Sequence, residues 1–330
     1  MPIPFLLGAA AVVAAGYGVK KGLDAKADNE TAEDLNSKAR IIFNSAKHEL
    51  ENAKDNTTNK LTELGKLKLE VWDEQLGHFV NSFERIRDVE ISGSAEVGSI
   101  KMTKQELLKM RDVSLKAREA IAGGAMALGT GTLVGFAAYG GATMFAAAST
   151  GTAISSLAGV AATNATLAWF GGGSLAAGGL GMAGGMAVLG GIVAGPVLAL
   201  GGAMFAAKAA KNLANAESNY AEAQVGVENM KGAQSKVKAI GKVVTEFTSL
   251  IREVAIRMDQ ALIRMDQVIA QSGNDYKRYS EEERRVIHNN VQFAQIMKRL
   301  LETPILDIDG ALTNEHKHAL REGRKFLALE

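Results

Sequence analysis

Five histidines, His48, His78, His288, His316 and His318, are the residues best suited to acid–base or metal chemistry in this chain of 330 residues. Histidine titrates near neutral pH and binds metals through a neutral ring nitrogen. His316 and His318 stand two residues apart, about 200° of helical rotation, so their rings cannot share one face. No H-E-x-x-H motif occurs, and no set of carboxylates converges around any of the five. Asp307-Ile308-Asp309-Gly310 has the opening of a calcium loop without the later acidic ligands. A plain turn is the expectation there. Asp259 and Asp266 recur seven residues apart and read as solvated neighbours of Arg257 and Arg264, not as an acid and base pair.

The glycines offer no better chemistry. Gly171-Gly172-Gly173 lacks a preceding strand and the Gly-Lys-Ser/Thr ending of a phosphate loop. No acidic residue follows at the distance a dinucleotide fold needs. With no cysteine in the chain, thiol catalysis, disulfides and cysteine-based zinc sites are excluded. The net charge of +1 provides no global field to attract nucleic acid. Clusters such as Lys101, Lys104 and Lys109 read as solvated faces with few aromatic companions. The expectation is a protein that is not an enzyme, with no catalytic residues, metal, cofactor or nucleic-acid partner.

The elements that surround these residues are helical. Only four prolines interrupt the chain, and β-branched runs are short, so the fold class expected is all-α: long amphipathic helices in a bundle or coiled coil around a Gly/Ala-rich hydrophobic hairpin region. The chain divides into five pieces: an apolar N-terminal segment 1–26, a helical arm 27–119, a hydrophobic Gly-rich region 120–207, a long heptad helix 208–272 and C-terminal helices 273–330. In the arm, apolar residues recur at three- and four-residue steps over 32–89, with Leu61, Leu64 and Val71 among them. The poor helix formers of Asp55-Asn56-Thr57-Thr58-Asn59-Lys60 predict a break. Residues 90–104 lose the period and suggest a loop or small hairpin. Thr103-x-x-Glu106 and Ser280-x-x-Glu283 have capping-box spacing and predict two helix starts. The second of these helices ends near Thr303-Pro304, a turn follows, and a helix from Glu315 to Leu329 closes the chain.

The clearest regularity lies in the heptad helix. Val237, Ile240, Val244, Phe247, Ile251, Val254, Met258, Ala261, Met265 and Val268 alternate steps of three and four. This is a seam for another helix. Leu250, Leu262, Ile263 and Ile269 should widen it into a bundle face. Phe247, Ile251, Val254, Met258 and Met265 are the candidate bundle or oligomer contacts.

Between the charged arms, residues 120–207 contain no Asp, Glu, Lys, Arg or His in 88 residues, and hold 22 of the 36 glycines. Gly131/Gly135, Gly181/Gly185 and Gly191/Gly195 are spaced as GxxxG, a glycine zipper that lets helix backbones approach closely in lipid. Trp169-Phe170-Gly171-Gly172-Gly173 suits a tight reversal with aromatic residues at a water–lipid boundary. If both arms stay on one side of a bilayer, the number of spans is even, either two long or four short. Val188, Leu189, Ile192, Val193, Val197, Leu198, Leu200 and Phe205 are the strong inserters between 182 and 205, worth only about −2 to −5 kcal/mol together. Conditional insertion fits that magnitude better than permanent anchoring.

Residues 2–19 form a shorter uncharged run followed by Lys20, Lys21 and Lys26. They read as an anchor, a signal peptide or a buried helix; as an anchor, the lysines would keep the main body cytoplasmic.

A Gly/Ala-rich apolar hairpin between long amphipathic helices resembles the α-helical pore-forming toxins of the cytolysin A and tripartite enterotoxin type. Apolipoprotein L-like and colicin-like proteins share the plan more distantly. The likeness is one of layout, over almost the whole chain. It implies a soluble form with the hairpin tucked against a bundle, followed by insertion and oligomerisation. The unclear secretion signal and the length of the apolar region move the expectation towards a membrane-associated protein, a secreted soluble form being the other arrangement. The function expected is a membrane-active protein that inserts this region, oligomerises and permeabilises or remodels a bilayer. Its partners would be the lipid bilayer and either further copies or a helical protein. The competing reading is a membrane-anchored coiled-coil scaffold that recruits a partner.

Overall fold

The structure, a computed structural model, describes residues 21–87, 89, 102–122, 130–140, 213–307 and 310–329. Among them the chain is all-α, and strand pairing is limited to the isolated bridges Arg87–Asp275 and Leu306–Leu312. The helices are α1 (Lys21–Val71), α2 (Gly77–Phe83), α3 (Lys104–Ala122), α4 (Thr130–Tyr139), α5 (Leu213–Ser272), α6 (Glu281–Glu302) and α7 (Glu315–Leu329). A single π-helical turn, Trp72–Leu76, joins α1 to α2. The N-terminal run 2–19, most of the loop 90–104, the tip residues Trp169 to Gly173, and Gly181, Gly185, Gly191 and Gly195 lie outside the described residues.

The break expected at 55–60 does not occur. α1 passes straight through, because tertiary contacts outweigh the weak helix propensity of Asn and Thr there. Thr57 is buried and its hydroxyl donates to the Val237 carbonyl at 3.2 Å. Thr62 turns its hydroxyl back onto the Thr58 carbonyl at 2.9 Å. At its far end the arm leaves the helix at Phe83 rather than near Val89, and Arg87 then exchanges backbone bonds with Asn274 and Tyr276.

The described residues fall into two compact units. The first takes those within Met1–Lys47 and Val197–Asn229. Here Ala32, Ala39, Ala216 and Ala223 are buried, so the α1 and α5 stretches meet through small side chains. Asn219 donates to the Asn36 side chain at 3.0 Å, a polar rung of the kind that specifies register. Phe43 lies against Gly226, where an added Cβ would come within 3.1 Å of its ring.

The second unit takes the described residues of His48–Pro196 and Met230–Glu330 and carries the large core. Its stretches of α1–α2 and α5 run parallel, since contacts climb together from Thr57–Val237 through Gln75–Asp259 to Ser82–Asp266. α3 returns antiparallel along α2, with Arg118 bonded to Asp73 at 2.7 Å and Arg111 to Glu84 at 3.3 Å. All ten seam residues of α5 from Val237 to Val268 are buried. Leu250, Leu262 and Ile269 widen the face as expected, but Ile263 does not. It is 56% exposed and lies seven residues from Ile256, itself 62% exposed, so the two share an outer stripe of α5.

Both expected capping boxes are present. Thr103 and Glu106 bond reciprocally at the start of α3. Ser280 and Glu283 do the same for α6. α7 covers Glu315–Leu329.

Candidate functional site: the docked start of the apolar region

Among the described residues α4 is the one helix that lies wholly within residues 120–207, α3 reaching only to Ala122. It packs into the core of the second unit through Leu133 and Phe136, each 1% exposed. Burial of such side chains contributes about 1.5–3 kcal/mol apiece. Two glycines bring backbones together around it. A Cβ on Gly65 of α1 would lie 2.3 Å from the Leu133 carbonyl oxygen. Gly140 ends the helix in the left-handed region at φ 68°, and a Cβ there would lie 2.0 Å from the Glu302 carbonyl oxygen. Any larger residue at either place would hold α4 off.

The last carbonyls of a helix have no partner within it. In α4 the Ala138 oxygen accepts from the amides of Ile305 and Leu306, at 2.7 and 3.0 Å. The Ala137 oxygen accepts from Lys68 Nζ at 3.2 Å. Lys68 is fully buried, with its nitrogen 6.0 Å from the centre of the Phe247 ring. An ammonium carries three donors, and among the described residues the Ala137 oxygen is the acceptor that serves them. Burial pushes the amine down from its ordinary value to about 7. Near neutral pH a large fraction of Lys68 is therefore uncharged in this position.

Lys68 had a signal in the sequence. Leu61, Leu64 and Val71 leave a gap in the three-and-four rhythm of α1, and position 68 fills it. A lysine at a core rung is either exposed by a local twist or buried at a cost, and the structure chooses burial.

Of the candidate residues named from sequence, Gly131 and Gly135 both fall in α4, and Gly135 is buried. Phe247, Ile251, Val254, Met258 and Met265 are all fully buried within the chain's own core, where α1 and α5 share it. Asp259 and Asp266 are not neighbours of Arg257 and Arg264 in the sense expected. Arg257 donates instead to the Leu327 carbonyl and to Glu253. Asp259 accepts from Gln75 at 3.0 Å, and Asp266 accepts from Ser82 at 2.6 Å with His78 Nε2 at 2.7 Å. The seven-residue repeat on α5 meets a seven-residue repeat on α1–α2, so these acids are cross-helix rungs. Burial works to raise the Asp266 carboxyl, but the hydrogen bonds from Ser82 and His78 outweigh it and hold the group below its ordinary value. Ser82 bonds to the acid and not to the imidazole, so this trio lacks the serine–histidine contact of an activated nucleophile.

A cleft of about 840 Å³ lies between α3, α6 and α7, floored by Met102, Met110 and Phe326. Four of its charged residues form two pairs, Lys298 with Glu302 at 3.1 Å and Arg299 with Glu322 at 2.9 Å. His316 is buried, and burial lowers its ring, whereas His318 is exposed and receives a bond from Arg321 at 3.1 Å. Asp307 accepts from the amide of Ala311, closing its own turn. Among the described residues no group of three or more His, Asp or Glu is placed to hold a metal ion. Comparison with family models, with curated proteins and with solved structures finds no match.

Proposed function

We propose that the chain is a membrane-active helical protein whose apolar region, residues 120–207, enters a bilayer, self-associates through its glycine pairs and permeabilises or remodels the membrane. One observation carries this reading: 88 successive residues without a charge sit between long charged helices, and α4 within them is held on the helical core through backbone contacts. The buried seam of α5 supports it further, because those side chains are already used within the chain's own core and are not the surface for self-association.

Among the described residues no helix is long and apolar enough to cross a membrane. α4, at ten residues, reaches about 15 Å, half of a hydrocarbon core. Insertion therefore needs more of the apolar region than α4 alone. The test is dye release from liposomes by the full chain, compared with a variant lacking 141–207, which keeps the core contacts of α4. Release that disappears with the deletion supports permeabilisation. Failure of the full chain to bind or disturb any liposome sinks the reading.

A second reading is a membrane-anchored scaffold that recruits a helical partner. The observation in its favour is the outer stripe of Ile256 and Ile263 on α5, which a partner helix would cover. Binding to liposomes without leakage is the result that would prefer it.

A further inference from the structure

The docking of α4 contains its own opponent. Its apolar side chains and glycine contacts hold it to the core, while Lys68 must leave water for it to sit there. Among the described residues no charged group offsets that. Burial is the sole cause acting on the amine. On its own helix the residues at three- and four-residue steps are Leu64, Gly65, Val71 and Trp72, none of which titrates. The sequence of α4 has no charged or titratable side chain apart from Tyr139. α5 presents the Phe247 ring. Among the described residues the compensation is that ring face and the partial negative charge at the carbonyl end of α4, and a helix of ten residues gives little.

We propose that Lys68 and the carbonyl end of α4 form a release device: the buried lysine keeps the α4 contact marginal near neutral pH, so that the start of the apolar region leaves the core readily and Lys68 regains water as it goes. This deepens the membrane reading and rests on it only for what α4 does after leaving. The leaving itself is a property of the chain in water.

The direction of the pH dependence follows from linkage. Released, Lys68 titrates near its ordinary value of about 10.4. Docked, it titrates at about 7. The docked state binds fewer protons between those values, so docking strengthens as pH rises from 7 towards 10. Below about 7 the lysine is charged in both states and its effect levels off. The device is therefore not an acid trigger. It is a standing penalty, present at neutral pH and removed by alkali. The gap of about three pKa units weakens docking at pH 7 by roughly a few hundredfold relative to pH 10.

Amide hydrogen exchange on the full chain, in water and without lipid, reads this directly. The reporters are the α4 amides from Val134 to Tyr139, together with the amides of Ile305 and Leu306 that donate to Ala138. After correction for the intrinsic pH dependence of exchange, their protection should rise about tenfold per pH unit between 7.5 and 9.5. Amides in the middle of α6 should show no such slope. Lys68→Met, which keeps the length and removes the charge, should raise α4 protection at pH 7 by a hundred- to a thousandfold and abolish the slope. Should Lys68→Met fail to fold, as judged by α6 protection, Lys68→Gln and the wild-type pH series decide the matter. A flat wild-type profile, or equal α4 protection in wild type and variant, overturns the proposal.

Dye release from anionic liposomes by the same proteins separates the two claims. Protection that behaves as stated, with no leakage from either protein, leaves the release device standing and removes the membrane reading. Leakage that is unchanged by Lys68→Met, with α4 protection indifferent to pH, does the opposite. Reduced leakage by Lys68→Met supports both.

Discussion

α4 and the α6–α7 pair both pack on the core of the second unit, but they are held by different means. α6 opens with a reciprocal capping box and buries Ile287, Val291, Phe293, Ala294, Met297, Leu300 and Leu301 along one face. Phe293 and Phe326 then join α6 to α7 edge to face, with ring centres 4.8 Å apart. α4 places Leu133 and Phe136 in the core with the small Ala137 and Ala138, and meets its neighbours closely at glycines and carbonyl oxygens. Its one long polar contact is a lysine that burial opposes. Even the close glycines differ. An added Cβ at Gly323 of α7 would meet a methyl of Leu250 at 2.8 Å, which can turn aside. At Gly65 and Gly140 it would meet backbone, which cannot. Side-chain interlocking makes α6–α7 part of the global fold; backbone proximity makes α4 a separable part of it.

If that contrast is right, the largest effect belongs to α6. Phe293→Ala should cost about 3–5 kcal/mol, the range for a buried aromatic replaced by alanine. In urea the midpoint should fall for the whole second unit, with α3 and α5 losing helix together with α6. A transition confined to α6 and α7 would break the comparison by showing that this pair, too, is separable. Gly65→Val comes next. Overpacking costs about 1–3 kcal/mol, but the cost should appear as faster exchange in α4 with little change in the global midpoint. The paired control is Gly323→Ala, whose added methyl meets a side chain able to shift. An equal effect of Gly65→Val on α6 would mean that α4 is as deeply integrated as the rest.

The parts of this fold that were legible in the sequence are those set by local rules. The three-and-four period marked all ten buried positions of the α5 seam, and the spacing of Thr103–Glu106 and Ser280–Glu283 marked two helix starts, because period and caps act over one or two turns. Asp55 to Lys60 was misread as a break because propensity is a weak force, and burial of Thr57 against α5 overrides it. Ile263 was misread because an apolar residue beside a seam can point either way, and the outward side is the one it takes. The parallel course of α1–α2 and α5 was invisible: neither helix encodes direction except through pairs such as Gln75–Asp259, whose partners lie 184 residues apart. Of the glycines named for their spacing, Gly131 and Gly135 fall in α4, and the close backbone approaches of the site lie instead at Gly65 and Gly140. Lys68 was marked by the gap it fills between Leu64 and Val71, but a lysine in an amphipathic helix ordinarily reads as solvent-facing, and Gly65 and Gly140 carried no local signal.

The cap of α6 is a smaller lever on the same contrast. Ser280→Ala removes the acceptor for the Glu283 amide and leaves the Glu283 side chain holding one end of a broken box. A loss of about 1 kcal/mol is expected in thermal unfolding of the second unit. Protection of the α4 amides should fall no further than the global change requires. A preferential loosening of α4 by this distant cap would mean that the two regions are coupled more tightly than their contacts suggest.

The smallest effect concerns the polar rungs that align α1–α2 with α5. Asp266 lies below its ordinary pKa, so its contribution is present above about pH 4, where the unfolded group is ionised, and is lost as pH falls through the lower folded value. Its side chain is 38% exposed and that of His78 43%, so water screens the pair and the contribution should stay under about 1 kcal/mol. Asp266→Asn should therefore lower the stability of the second unit slightly at pH 6, and the difference from wild type should shrink towards zero near pH 2. Chemical denaturation at the two pH values measures both. A difference that persists at pH 2 would assign the role of Asp266 to shape and to its bond with Ser82, not to its charge. Because α4 meets α1 at Gly65 and Lys68, two or more turns before this rung, its exchange should not respond at either pH. A response there would place α4 and the α1–α5 alignment in one cooperative element and remove the separability on which its release depends.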